Sequence, residues 1–222
     1  MGFSQEWENI YKQNLHMSVW PWSQLISLTH RYGNLHKGMK VLELGCGAGA
    51  NIPFFVKEET DYYAIEGSST MADQLKKQFK DASVHITHGD FTKEIFFDET
   101  FDLVIDRGAL THNTTKDIAR TIELVRTVLK PEGKFIGMDW FSTKHDEMTR
   151  EGSKCIDGFT RVFSSGYFAG LGNVHFSSEE HLHELFANFT FEYLAEKYTE
   201  EFIPKRRVIA YWDFVAKKGK SI

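Results

Sequence analysis

Cysteine, proline, basic charge and long apolar runs are all scarce in this chain. Two cysteines, Cys46 and Cys155, in 222 residues are too few for a disulfide framework or a thiolate metal cluster. No apolar run approaches the ~20 residues of a membrane-spanning helix, and no signal peptide is visible, so a soluble cytoplasmic protein is expected. Lys and Arg total 26 against 31 Asp and Glu, which argues against nucleic acid as a partner. Four prolines, no repeat and no low-complexity stretch leave no convincing linker. What is present, 41% hydrophobic and 14% aromatic residues, suffices for one sizeable core.

The most informative stretch runs from Val41 to Asn51. A short apolar run (Val41, Leu42, Leu44) ends in Gly45, Gly47 and Gly49, and Ile52-Pro-Phe-Phe-Val56 restarts an apolar pattern. That order reads as buried strand, tight turn and helix. Glycine serves where backbone takes positive φ or where a ligand touches the main chain. The following helix turns its free N–H groups toward the glycines, which suits a nucleotide-like cofactor at the carboxyl edge of a parallel sheet. Gly45, Gly47 and Ala50 also satisfy the loose dinucleotide fingerprint, but Glu43 places a carboxylate beside the turn, better matched to a ligand ammonium than to a pyrophosphate.

Strand and helix patterns then alternate. Asp61–Glu66 predicts a second strand, and Ser68–Lys80 a helix begun by a serine cap. Glu66 closes its strand 21 residues after Gly45, where a carboxylate can accept both hydroxyls of a ribose. Ser83–His88, Phe101–Asp106 and Lys134–Trp140 predict three further strands, with an amphipathic helix over Lys116–Leu129 ended by a Pro-Glu-Gly turn. Upstream, residues 3–36 predict two helices around Trp20-Pro-Trp22, read as core filling or as an aromatic cap over a cofactor. Downstream, residues 141–177 are polar and glycine-rich, too long for a plain connection, and predict a partly helical insertion over the site. Ser177–Glu180 caps a helix through Phe186, and Phe189–Tyr198 and Val208–Ala216 predict closing strands.

Four separated stretches share one resemblance. Glu43-x-Gly45-x-Gly47-x-Gly49, Gly89-Asp90-Phe91, the loop Asp106–Asn113 and Leu129-Lys-Pro-Glu-Gly-Lys-Phe135 resemble class I S-adenosylmethionine-dependent methyltransferases. The resemblance implies a single-domain, Rossmann-like, doubly wound α/β fold with a mainly parallel sheet of seven strands, the last antiparallel. Its divisions would be an N-terminal helical cap (1–36), a cofactor-binding core (38–140), a substrate-side insertion (141–177) and a closing helix and strands (178–222). It implies S-adenosylmethionine as cofactor, with contacts from Tyr11, Trp20, Glu43, Gly45, Gly47, Gly49, Glu66, Gly67, Ser68, Met71, Asp90, Phe91 and Asp106. Chemistry is expected from His112 and Arg107 in the loop after the fourth strand and from His145 in the insertion, without a metal. An imidazole accepts protons near neutral pH, which makes His112 the candidate base.

The expected acceptor is an oxygen or nitrogen atom of a small-molecule or carbohydrate-like compound, handled by a monomer or homodimer. Two other readings stay open: an NAD(P)-dependent oxidoreductase using the same first turn, and a non-catalytic cofactor-binding protein. Acceptor chemistry sits in loops grafted onto a widely used fold.

Overall fold

The computed structural model describes residues 5–80 and 82–219. Five strands run parallel: β1 (Lys40–Leu44), β2 (Asp61–Glu66), β3 (Val84–His88), β4 (Phe101–Arg107) and β5 (Leu129–Phe141). Three short strands follow, β6 (Lys154–Cys155), β7 (Thr160–Val162) and β8 (Asn173–His175), paired antiparallel in a separate sheet. Two long strands close the chain, β9 (Phe189–Glu201) and β10 (Arg207–Lys218). The main sheet has the order β3-β2-β1-β4-β5-β10-β9, with β10 antiparallel to both neighbours. This is the seven-stranded, doubly wound α/β sheet expected from the sequence, including its antiparallel last strand.

The period of two along each strand divides the core into layers. Leu42, Leu44 and Val104 face one side and join Ile118, Ile122 and Val125 of a helix over Thr115–Val128. Val41, Leu103 and Ile105 face the other, against three helices that precede it in the chain: Ser23–Tyr32, Ile52–Lys57 and Ser69–Gln78. In chain order the helices are α1 (Gln5–Lys12), α2 (Ser23–Tyr32), α3 (Ile52–Lys57), α4 (Ser69–Gln78), α5 (Thr115–Val128) and α6 (Glu179–Leu185). Both faces of β1 and β4 are therefore covered, which is why their sequences read as near-continuous apolar runs. Among the described residues no helix is long and apolar enough to cross a membrane.

Two expectations need correction. β5 begins at Leu129, which pairs with Phe101, and the ladder resumes only at Lys134 opposite Leu103. Between them Pro131 offers no N–H and Glu132 takes φ 64°, so Lys130–Gly133 bulges from the strand instead of preceding it. The insertion, expected to be partly helical, is not helical beyond one 3₁₀ turn at Asp146–Thr149, and its main element is the β6-β7-β8 sheet. Nor is it too polar for a core, because Phe163, Phe168, Val174 and Phe176 bury one another against Phe141 and Leu171.

Candidate functional site

The strand order reverses at β1, which has β2 on one side and β4 on the other. Loops leaving the carboxyl ends of these strands diverge there and leave a crevice. The glycine turn fills its floor. Gly45 takes φ 64°, and a Cβ on it would lie 2.5 Å from that of Ala109 in the loop after β4. Gly47 takes φ 54°, and a Cβ there would stand 2.7 Å from the Tyr11 hydroxyl. Above the turn opens a cavity of about 820 Å³, within the range of about 300–1,000 Å³ typical of small-molecule sites. The N-terminal segment contributes Trp7, Tyr11 and Trp22 to its wall, and the insertion contributes Phe168 and Leu171.

Acidic groups crowd the turn. Glu66 is buried at the end of β2, and its two oxygens accept from the backbone N–H of Gly47 and of Ser68, each at 2.7 Å. Burial raises its carboxyl to a pKa of about 7 against those hydrogen bonds. Each oxygen keeps a second lone pair, so the pair can still accept two hydroxyls from the cavity. Glu43 lies on the same wall, takes Asn51 Nδ2 at 2.9 Å and the Tyr62 hydroxyl, and is also raised by burial to about 7. Asp90 faces the cavity after β3. Its burial penalty is outweighed by hydrogen bonds from Thr92 and Lys93, and its pKa is lowered.

On the far side His112 sits half-buried in a 3₁₀ turn, Leu110–His112. Its Nδ1 is 3.0 Å from the carbonyl oxygen of Asn173 in β8. A carbonyl only accepts, so Nδ1 carries the proton and Nε2 is the acceptor of the neutral ring. Burial lowers its pKa to about 4 despite backbone carbonyls that favour the charged form. The ring meets Trp7 edge-on at 4.9 Å. Next to it Arg107 lays its guanidinium 3.7 Å over the Trp22 ring and donates through Nε to Asp139 at 2.9 Å.

The structure thus brings Tyr11, Glu43, Gly45, Gly47, Glu66, Gly67, Asp90, Phe91, Arg107 and His112 to one cavity. Six expected residues are not there. Trp20 is 81% exposed, and the other tryptophan of the pair, Trp22, takes the wall position because Pro21 turns the chain into α2 between them. Gly49 packs on the other side of the turn, where a Cβ would meet Leu75 at 2.5 Å. Ser68 caps α4 by accepting from Met71 N–H and donates to Glu8, while Met71 is buried core. Asp106 is fully buried beneath the loop, accepting from Leu110 N–H at 2.9 Å and Trp140 Nε1 at 2.6 Å. His145 lies within the aromatic cluster of the insertion, 5.1 Å from the Phe168 ring, and burial lowers its pKa to about 4.

Sequence reading missed Asp139, Lys197 and Tyr211, which also line the cavity. A signal was available for the first: an aspartate interrupts the apolar strand Phe135-Ile-Gly-Met-Asp-Trp140 at its carboxyl end.

The methyltransferase-domain family matches residues 41–133, the segment from β1 to the bulge in β5. Less than half of the chain is thus similar to a methyltransferase domain, in the segment that carries the glycine turn. Sterol 24-C-methyltransferase of Candida albicans is 32% identical over 152 residues, covering 62% of this chain and 39% of that protein. A Methanosarcina mazei structure named as a SAM-dependent methyltransferase aligns with TM-score 0.65 at 18% identity, covering 90% of this chain and all of the other. A Rhodobacter sphaeroides structure named as a zinc-dependent alcohol dehydrogenase aligns with TM-score 0.69 at 16% identity, covering 96% and 98%. Identities this low show the fold alone. The chain spans less than half the length of the curated relatives it matches, between 4% and 43%.

The family's cofactor fits the residues present. The turn at Gly45 and Gly47 leaves main chain open to the cavity, and Glu66 keeps acceptor capacity toward it. Glu43 and Glu66 have pKa values of about 7 because burial outweighs the hydrogen bonds they accept and, at Glu43, the charge of Arg107. A bound sulfonium and ammonium would favour their ionised forms and so release protons. Affinity for S-adenosylmethionine is therefore expected to rise with pH up to about 7 and level above it, more steeply than for S-adenosylhomocysteine, which lacks the sulfonium charge. Calorimetry in buffers of different ionisation enthalpy should register the released protons. Equal pH dependence for both ligands would contradict this electrostatic account.

Proposed function

We propose that the protein transfers a methyl group from S-adenosylmethionine to an oxygen or nitrogen atom of a small-molecule acceptor. The observation that carries this reading is the meeting of the glycine turn, Glu66, Asp90 and His112 in one cavity at the strand ends. When bound, the cofactor supplies an electrophilic methyl group on a sulfonium. Glu66 would hold the ribose hydroxyls, Asp90 and Phe91 the adenine, and Glu43 would add negative potential beneath the ammonium. His112, neutral and protonated at Nδ1, would take the acceptor's proton at Nε2 as the nucleophile attacks. Alignment is the larger demand, and the aromatic walls from the N-terminal segment and the insertion meet it by excluding water and fixing the acceptor.

The Candida relative is named for methylation at carbon, so a carbon acceptor is the competing outcome. The deciding experiment has two stages. Calorimetry should find binding of S-adenosylhomocysteine and none of NAD; the reverse would establish the oxidoreductase reading. Labelled cofactor is then offered to hydroxyl, amine and olefin acceptors and to cell extract. Label on oxygen or nitrogen is the expected result. Label on carbon overturns the acceptor assignment, and no label anywhere favours a binding protein.

The aromatic cap has its own test. Trp22→Ala should weaken S-adenosylhomocysteine several-fold, since its ring lines the cavity. Trp20→Ala should leave affinity unchanged. Hydrogen exchange over residues 8–30 should slow when ligand binds. Equal effects of the two substitutions would remove Trp22 from the site.

A further inference from the structure

The cavity has a second half on the other side of the strand switch. Gly45, Glu66 and Asp90 stand at or just beyond the ends of β1, β2 and β3, whereas Arg107, Asp139 and Lys197 come from β4, β5 and β9. Asp139 takes φ 53° and its backbone N–H donates to Asp213 Oδ1 at 3.1 Å, at an irregularity in the β5–β10 ladder. Asp213 is fully buried and also takes Lys197 Nζ at 2.6 Å; the same ammonium lies 3.7 Å from Asp139 Oδ1. Asp139 is thereby fixed between two cations, accepting from Arg107 Nε on its other oxygen.

The donor inventory does not balance. A guanidinium carries five N–H donors, and among the described residues only Nε of Arg107 has an acceptor. Its plane is held by Trp22 on one face and its orientation by Asp139, so the terminal fork is pre-organised and unspent at the cavity wall. Such a fork matches the two coplanar oxygens of a carboxylate. A phosphate dianion would bring more acceptor oxygens than one fork and a partly engaged ammonium can satisfy. The same cavity also carries apolar side chains, Phe141, Phe168, Leu171 and Ile209.

We propose that Arg107, held by Trp22 and Asp139 and backed by Lys197, binds a carboxylate of the methyl acceptor, which is an aromatic or aliphatic carboxylic acid bearing the hydroxyl or amine to be methylated. This rests on the methyltransferase reading above. The test uses the full chain saturated with S-adenosylhomocysteine, with benzoate and its neutral isostere benzamide as probes in calorimetry. Benzoate should bind this complex at least tenfold more tightly than benzamide. Arg107→Gln should abolish that preference while S-adenosylhomocysteine affinity, which also reports folding, stays within threefold; Lys197→Met should reduce the preference in part. Absence of the preference in the wild type, or its survival in Arg107→Gln, overturns the proposal. So does a tenfold loss of S-adenosylhomocysteine affinity in a folded Arg107→Gln protein, which would assign the fork to the cofactor's own carboxylate. Wild-type protein that binds no S-adenosylhomocysteine overturns the methyltransferase reading and this proposal together, whereas binding without benzoate preference overturns this proposal alone.

Discussion

His112→Ala is expected to lower kcat at least tenfold while cofactor affinity stays nearly intact. A base within hydrogen-bond reach contributes about 10²–10⁴-fold to rate, and positioning by the remaining walls would survive the substitution. The loop after β4 puts the imidazole on the cavity wall, and the Asn173 carbonyl in β8 of the small sheet fixes its tautomer. Burial lowers its pKa to about 4, so the ring is neutral throughout the physiological range. The acid limb of the wild-type pH–rate profile should accordingly fall near pH 4 and not near the unperturbed 6.5. Activity should drop as pH falls through that limb, because protonation at Nε2 removes the acceptor. In the variant the limb should vanish. A variant that keeps wild-type kcat, or a limb unchanged by the substitution, would take the proton-accepting role away from His112 and leave catalysis to alignment alone.

The order of elements in the parallel half of the sheet was legible because β1, β2 and β4 are short, largely apolar runs bounded by turn or cap residues. Glu66 and Asp90 were legible for the same reason, since a residue at a parallel strand's carboxyl end is placed by topology. Side-chain direction was not. Asp106 occupies an equally promising strand end, yet Trp140 of the neighbouring strand and the Leu110 N–H draw its carboxylate under the loop. Nothing local to residues 106–113 encodes a partner 34 residues away. The tryptophan pair failed differently: which ring enters the cavity depends on the turn at Pro21, and both sequence positions look alike. In the insertion, Phe163, Phe168 and Val174 match neither a helical nor a strand period, so the small core they form with Phe176 was read as polar cover. The Arg107–Asp139–Lys197–Asp213 group draws on β4, β5, β9 and β10, and only the antiparallel return of β10 brings it together.

Glu66→Ala should weaken S-adenosylhomocysteine by tenfold or more. The carboxylate has two duties in this fold. It anchors the Gly47 and Ser68 N–H groups at 2.7 Å each, and its remaining lone pairs face the place assigned to the ribose. Charge-assisted hydrogen bonds contribute about 1.5–3 kcal/mol each, so losing one alone corresponds to about tenfold or more in affinity. The stability cost should be smaller than the sum of two lost anchors, because the raised pKa records what burying this carboxyl costs and alanine removes that penalty too. Glu66→Gln separates the duties. Glutamine keeps one oxygen but turns an NH₂ group toward either Gly47 or Ser68, so it should disturb the turn while retaining one acceptor. Its affinity should fall less than that of alanine if ribose contacts dominate, and by as much or more if turn geometry does. Measurements at pH 8, where the wild-type carboxyl is ionised, give the largest contrast. Unchanged affinity in a folded Glu66→Ala protein would detach Glu66 from the ribose and leave it as an anchor of the glycine turn.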